Sequence, residues 1–174
     1  MVFPIDPTVI TDPTYLRHCR WMGRALELAE MAGARGDVPV GALVVGPGDR
    51  LLAEAGNRRE QDQDPTAHAE ILALRQASQR LGNWHLHQCT LYVTLEPCPM
   101  CAGAILLSRL GLLVYGADDA KAGALGSVIN LPASPCSYHR LSILAGILAT
   151  PCQQQLQRWF QQRRGHRRVD ASEL

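Results

Sequence analysis

Two short motifs hold the residue types that could do chemistry: His68-Ala69-Glu70 and Pro97-Cys98-Pro99-Met100-Cys101. Cys98 and Cys101 are three apart at an expected helix start, so both sulfurs fall on one face. The free N–H groups and positive dipole end of a helix start lower thiol pKa values and favour thiolates. Two thiolates at that spacing suit a soft, tetrahedral zinc ion. A strand, then Cys-x-x-Cys, then a helix is also the arrangement of thioredoxin-type redox dithiols. His68 bears on the choice, because a redox dithiol has no need of His-x-Glu. A structural zinc site needs a fourth protein ligand at defined spacing, and Cys19, Cys89, Cys136 and Cys152 show no such spacing. His68, Cys98 and Cys101 leave one coordination position for water, with Glu70 close by but not a ligand. That is the make-up of a catalytic zinc.

The pattern H-x-E…P-C-x-x-C resembles the recognised signature of the zinc nucleobase and nucleoside deaminases. Zinc in such a site lowers the pKa of a bound water toward neutrality. Glu70 is expected to take that proton, deliver it to the ring nitrogen beside the attacked carbon, and then protonate the departing amino group. Attack at C6 of adenine or C4 of cytosine gives a tetrahedral intermediate that loses ammonia. A non-catalytic partner subunit could dispense with Glu70, so its presence favours an active enzyme.

Regular elements must bring the two motifs together. Asp12-Pro13 reads as a helix start, with Asp as cap and Pro at the first position, and Gly33 to Gly36 closes that helix. Val38–Val45 and Leu51–Ala55 read as strands joined by the turn Gly46-Pro47-Gly48-Asp49. The polar segment Gly56–Pro65 reads as a loop, and Thr66–Leu81 as a helix ended by Gly82-Asn83. Thr90–Leu95 and Leu112–Tyr115 read as strands flanking a helix over Pro97–Arg109. Gly116–Pro135 is a long irregular stretch, of a kind that is usually functional in a compact domain. His139–Gly146 fits strand or helix, and Thr150-Pro151 opens a last helix. This alternation predicts an α/β domain with a mixed sheet flanked by helices.

A more specific resemblance rests on the segments Val38–Ala42, Asn57-Arg58, Asp64–Glu70, Leu91–Ala104 and Tyr115–Gly123. Together they resemble the bacterial tRNA-specific adenosine deaminases, over roughly residues 15–164. The resemblance implies a cytidine-deaminase-like three-layer α/β/α sandwich around a central mixed five-stranded sheet. It also implies one zinc per subunit, a homodimer, and conversion of the wobble adenosine of a tRNA anticodon, typically an arginine tRNA, to inosine. By the same resemblance, Asn57 faces the nucleoside, and Ala69 and Pro97 meet the substrate beside the ligands. Asp119 and Lys121 lie on a loop that contacts flipped-out anticodon nucleotides, and Phe160, Arg163 and Arg164 lie on a terminal helix that approaches the RNA. As isolated residues, Asn57 reads equally as a turn former, and residues 119–121 as a Gly-rich surface turn. One of Trp159 and Phe160 is expected to dock the last helix on the core.

Length and composition agree with a single deaminase domain over residues 14–164. It lies between a flexible extension at 1–13 and a basic, polar tail at 165–174, neither with an assigned function. The 174 residues are 47% hydrophobic and 19% charged, which excludes general disorder. No stretch nears the roughly 18 uninterrupted apolar residues of a membrane span. Met1–Pro7 lacks a basic segment followed by an apolar one, so the cytoplasm is the expected address. The formal charge of +1 conceals segregation: Leu156–Leu174 carries five Arg against Asp170 and Glu173. Lys121 is the only Lys, so phosphate contact falls mainly to Arg, which suits phosphate geometry. The alternatives are a zinc deaminase of a free base, nucleoside or nucleotide (guanine- or cytidine-type), or a non-catalytic zinc- or RNA-binding subunit.

Overall fold

The computed structural model describes residues 12–170, except for the side chains of 165–170. Residues 1–11 of the expected extension and 171–174 of the expected tail lie outside the described residues. Asp12 caps helix α1 (Pro13–Ala34), its carboxylate accepting the Thr14 and Tyr15 N–H groups at 2.7 and 3.0 Å. Strands β1 (Gly41–Gly46) and β2 (Arg50–Gly56) form an antiparallel hairpin. A four-residue helix α2 (Arg59–Asp62) and helix α3 (Ala69–Leu81) follow. Strand β3 (Thr90–Leu95), helix α4 (Pro99–Leu107) and strand β4 (Leu112–Ala117) make a parallel crossover unit. A short strand β5 (Ser142–Leu144) and helix α5 (Ala149–Asp170) complete the order.

The sheet runs β2-β1-β3-β4-β5, with β1 antiparallel to both β2 and β3, and β3, β4 and β5 mutually parallel. It is therefore mixed and five-stranded, as expected. Both faces are covered, so the central strands are apolar on successive residues rather than alternating with polar ones. Val44, Leu91, Val93 and Leu113 join the core under α3 and α4, whereas Leu43, Val45, Tyr92 and Val114 join the core under α1 and α5. Close helix approach is fixed at Gly41, where a Cβ would lie 2.0 Å from the Ala25 carbonyl oxygen.

Several boundaries differ from the sequence reading, each for a local reason. β1 starts at Gly41 because Pro39 has no N–H and Val40 N–H turns back to Val38 O at 2.8 Å. Helix α3 starts at Ala69, not Thr66, because Asp64 accepts both the Thr66 N–H and its hydroxyl at 2.7 Å. That side-chain turn competes with helix for the same backbone. The expected loop 56–65 contains α2, whose Glu60 and Gln61 N–H groups are held by buried Asp37 at 3.2 and 3.3 Å. The ambiguous segment 139–146 contributes β5. Among the described residues no helix is long and apolar enough to cross a membrane.

Candidate active site

The motifs meet where β3 ends and two helices begin. His68 is the cap residue of α3 and Cys98 that of α4, and neither side chain caps its own helix. Both are therefore left facing the space between the helix starts. The α3 start is capped instead from a neighbouring loop: Asn57 Oδ1 accepts the Ala69 N–H at 2.9 Å. Cys101, one turn into α4, is fully buried.

His68 Nδ1 lies 3.7 Å from Cys98 Sγ and 3.5 Å from Cys101 Sγ, and the three donor atoms fall within 4.8 Å of one another. In a tetrahedral zinc site, bonds of about 2.3 Å to sulfur and 2.0–2.1 Å to nitrogen set a nitrogen–sulfur edge of about 3.6 Å. The donor set fits zinc in both chemistry and spacing. Hydrogen bonding from Cys101, aided by His68, pulls the Cys98 thiol down to about 4 against the effect of burial. The Cys101 thiol is held up by that same contact and by burial. A zinc ion held by these donors would displace that proton. His68 is shifted upward, chiefly by its contact with Cys98.

Glu70 sits in the first turn of α3, 4% exposed, and its Oε2 has no hydrogen-bond partner among the described residues. Burial raises its pKa, opposed by its own N–H and by His68. A buried carboxyl oxygen without a partner is costly in a resting fold. Its place is the wall of a cleft of about 160 Å³ that it shares with Asn57, His68, Cys98 and Asp119. Asn57 Nδ2 has no hydrogen-bond partner among the described residues, so it offers the cleft an amide donor.

Of the other expected contact residues, Ala69 and Pro97 stand outside the cleft wall. Ala69 is fully buried with its N–H given to Asn57, and the Pro97 carbonyl accepts the Ala124 N–H at 2.9 Å. Lys121, Phe160, Arg163 and Arg164 line a second groove of about 510 Å³, which shares Val38 with the cleft. Trp159 is the aromatic that docks α5, donating to Gly33 O at 3.1 Å, while Phe160 is 44% exposed. Arg163 lies 4.4 Å over the Trp159 ring.

Glu96 was not singled out by sequence reading, although it lies in the quoted segment Leu91–Ala104. It is 2% exposed. Its carboxylate accepts N–H groups of Asp119 at 3.1 Å, Leu125 at 2.9 Å and Ser127 at 3.2 Å. Burial opposes its ionisation, but bonds from Ser127 and these backbone groups outweigh that and hold its carboxyl below the ordinary value. Gly123 lets the loop pass this close, since a Cβ there would lie 2.3 Å from Glu96 Oε2. Glu96 thus fixes the loop that presents Asp119 to the cleft. Replacing Glu96 with glutamine removes one acceptor and is expected to cost about 1.5–3 kcal/mol of stability. Loosening of the loop should also raise KM more than it lowers kcat, as thermal melts and steady-state kinetics would read.

A mixed sheet whose helix starts bring together a His-Cys-Cys donor set and a buried glutamate defines a deaminase. The family described as MafB19-like deaminase matches residues 16–150, and the chain is an enzyme of that class. It is 45% identical over 155 residues to the tRNA-specific adenosine deaminase of Haemophilus influenzae, covering 89% of this chain and 90% of that one. It is 40% identical over 154 residues to the Bacillus subtilis protein of the same name, covering 88% and 95%. A solved structure from work on A-to-I editing by tRNA:A34 deaminases superposes with a TM-score of 0.76 at 40% identity, covering 78% of this chain and 98% of that one. The chain belongs to the tRNA-specific adenosine deaminase family.

Proposed function

We propose that this enzyme hydrolyses the 6-amino group of the wobble adenosine in a tRNA anticodon, giving inosine and ammonia. The observation that carries the chemistry is the buried Glu70 carboxylate, whose Oε2 has no hydrogen-bond partner among the described residues, in the same cleft as His68 and Cys98 of the His68, Cys98 and Cys101 donor set. Zinc held by these three, one ion per subunit, would activate a water as nucleophile. Glu70 would take one proton from that water and pass it to N1 of the purine. It would then take the remaining proton from the new C6 hydroxyl and hand it to the amine, so that the C6–N bond breaks as the carbonyl forms and ammonia leaves. Asn57 Nδ2 donates to a purine nitrogen or ribose oxygen. Asp119 Oδ1 is already taken by the Lys121 and Ala122 N–H groups, which leaves Oδ2 for a ribose hydroxyl.

The substrate class is supported by the relatives' names and by the second groove. That groove is lined by Lys121, Arg163 and Arg164 with an exposed Phe160 and, among the described residues, no acidic side chain. A single-stranded loop is read by stacking and by backbone charge, and this groove supplies both. A tRNA substrate also fits a cytoplasmic enzyme. Ammonia release from an anticodon stem-loop with wobble adenosine should exceed that from free adenosine, guanine or cytidine by orders of magnitude. Equal or greater release from a free base would favour the free-base reading.

The same reading includes a homodimer. Helix α4 (PMCAGAILL) carries no charged residue on any side. A helix apolar all round calls for cover on all sides. Yet Met100 is 37% exposed and Leu107 75%, next to Trp84 at 58%. A second copy covering this face accounts for that pattern. Leu107→Glu is expected to yield monomers by analytical ultracentrifugation; an unchanged dimer would assign the contact to another face.

A further inference from the structure

Arg58 and Arg59 are adjacent and meet opposite fates. The Arg58 guanidinium is engaged within the fold, its Nε and Nη2 donating to Asp62 Oδ1 at 3.1 and 2.8 Å. Arg59 has no acidic partner among the described residues and lines the cleft that holds Glu70 and the His-Cys-Cys group. Its backbone is held firmly. The Arg59 carbonyl accepts the Asp64 N–H at 3.2 Å, and the next two N–H groups are bound by Asp37, which is 1% exposed. An exposed arginine on such a fixed base loses little further freedom on meeting a ligand. A cleft of about 160 Å³ suits a base rather than a whole nucleotide, so the sugar and phosphates of a flipped-out nucleotide would lie outside it.

Resting on the proposed function above, we propose that Arg59 contacts a phosphodiester group flanking the target adenosine. It thereby selects a nucleotide within a chain over a free nucleoside. A guanidinium matches phosphate oxygens with two parallel donors. Arg59 at the cleft and Lys121, Arg163 and Arg164 along the neighbouring groove then form one cationic path for the backbone on either side of the flipped base. Such contacts act on binding and its salt dependence, not on the chemical step.

The test uses the zinc-loaded enzyme and an anticodon stem-loop with wobble adenosine, assayed across a series of KCl concentrations. Arg59→Ala should raise KM about tenfold, leave kcat within about twofold, and flatten the slope of log kcat/KM against log salt by about 0.7. Arg59→Lys should keep the slope, and Arg58→Ala should behave like the parent. An Arg59→Ala enzyme with unchanged KM and slope would overturn the proposal. So would a fall in kcat at constant KM, which would make Arg59 an electrostatic neighbour of Glu70 instead. Failure of the unsubstituted enzyme to deaminate the stem-loop would overturn the functional reading, and this contact with it.

Discussion

Glu70→Gln is expected to keep one zinc per chain and a melting temperature no lower than the parent's, while turnover falls by about 10²–10⁴ or more. The two halves of this result have separate causes. Glu70 is not among the atoms that fit the metal, so its loss leaves the His68, Cys98 and Cys101 donors intact. Its Oε2 has no hydrogen-bond partner among the described residues to forfeit, and burial already works against its charge. A neutral amide of the same shape therefore costs the fold little or even stabilises it. Glutamine cannot, however, collect a proton from water and return it to a ring nitrogen and an amine. Zinc analysis, calorimetry and single-turnover kinetics on one preparation read all three quantities. Loss of metal with loss of activity would instead make Glu70 a ligand or a structural support.

Cys98→Ala should have the larger effect, because it removes the metal itself. The site depends on three donors within 4.8 Å of one another, the His68 nitrogen lying about one tetrahedral edge from each sulfur, and two remaining ligands hold zinc far more weakly. Zinc content should fall from one per chain to near zero, with turnover below detection. The protein should also lose the stabilisation that bound ion gives to the native state, about 4 kcal/mol when free zinc is a thousandfold above its dissociation constant. Readdition of zinc should restore none of the three. A redox dithiol would behave differently: no zinc in the parent, and loss of thiol–disulfide exchange in the variant.

The central chemistry was legible because it depends on residue type at short spacing. His-x-Glu and Pro-Cys-x-x-Cys each sit at a helix start, and local signals mark helix starts: Pro99 after Cys98, and Gly82 closing α3 in the left-handed region at φ 63°. A mixed sheet flanked by helices followed from the alternation of elements, whereas the strand order β2-β1-β3-β4-β5 is visible only in the fold. Boundaries were less legible where a side chain competes with the backbone. Asp64 delays α3 by three residues, and Asp37 builds α2 from a segment more than twenty residues away. Glu96 was passed over for the same reason. Its partners lie 23 to 31 residues downstream in an irregular loop, and nothing local marks a buried glutamate as a loop anchor. Arg59 looks like Arg58 in sequence, and only the fold shows that Arg58 is paired with Asp62 while Arg59 has no acidic partner among the described residues. Trp159 and Phe160, adjacent and both aromatic, were separated by the hydrogen bond from the indole to Gly33.

The most direct test of the whole account is incubation of the zinc-loaded enzyme with an unmodified tRNA bearing adenosine at the wobble position, followed by position-resolved inosine detection. Stoichiometric inosine is expected at the wobble position, none at adenosines in the paired stems, and one ammonia released per inosine formed. Inosine absent from the wobble position, together with turnover of free guanine, adenosine or cytidine, would contradict it.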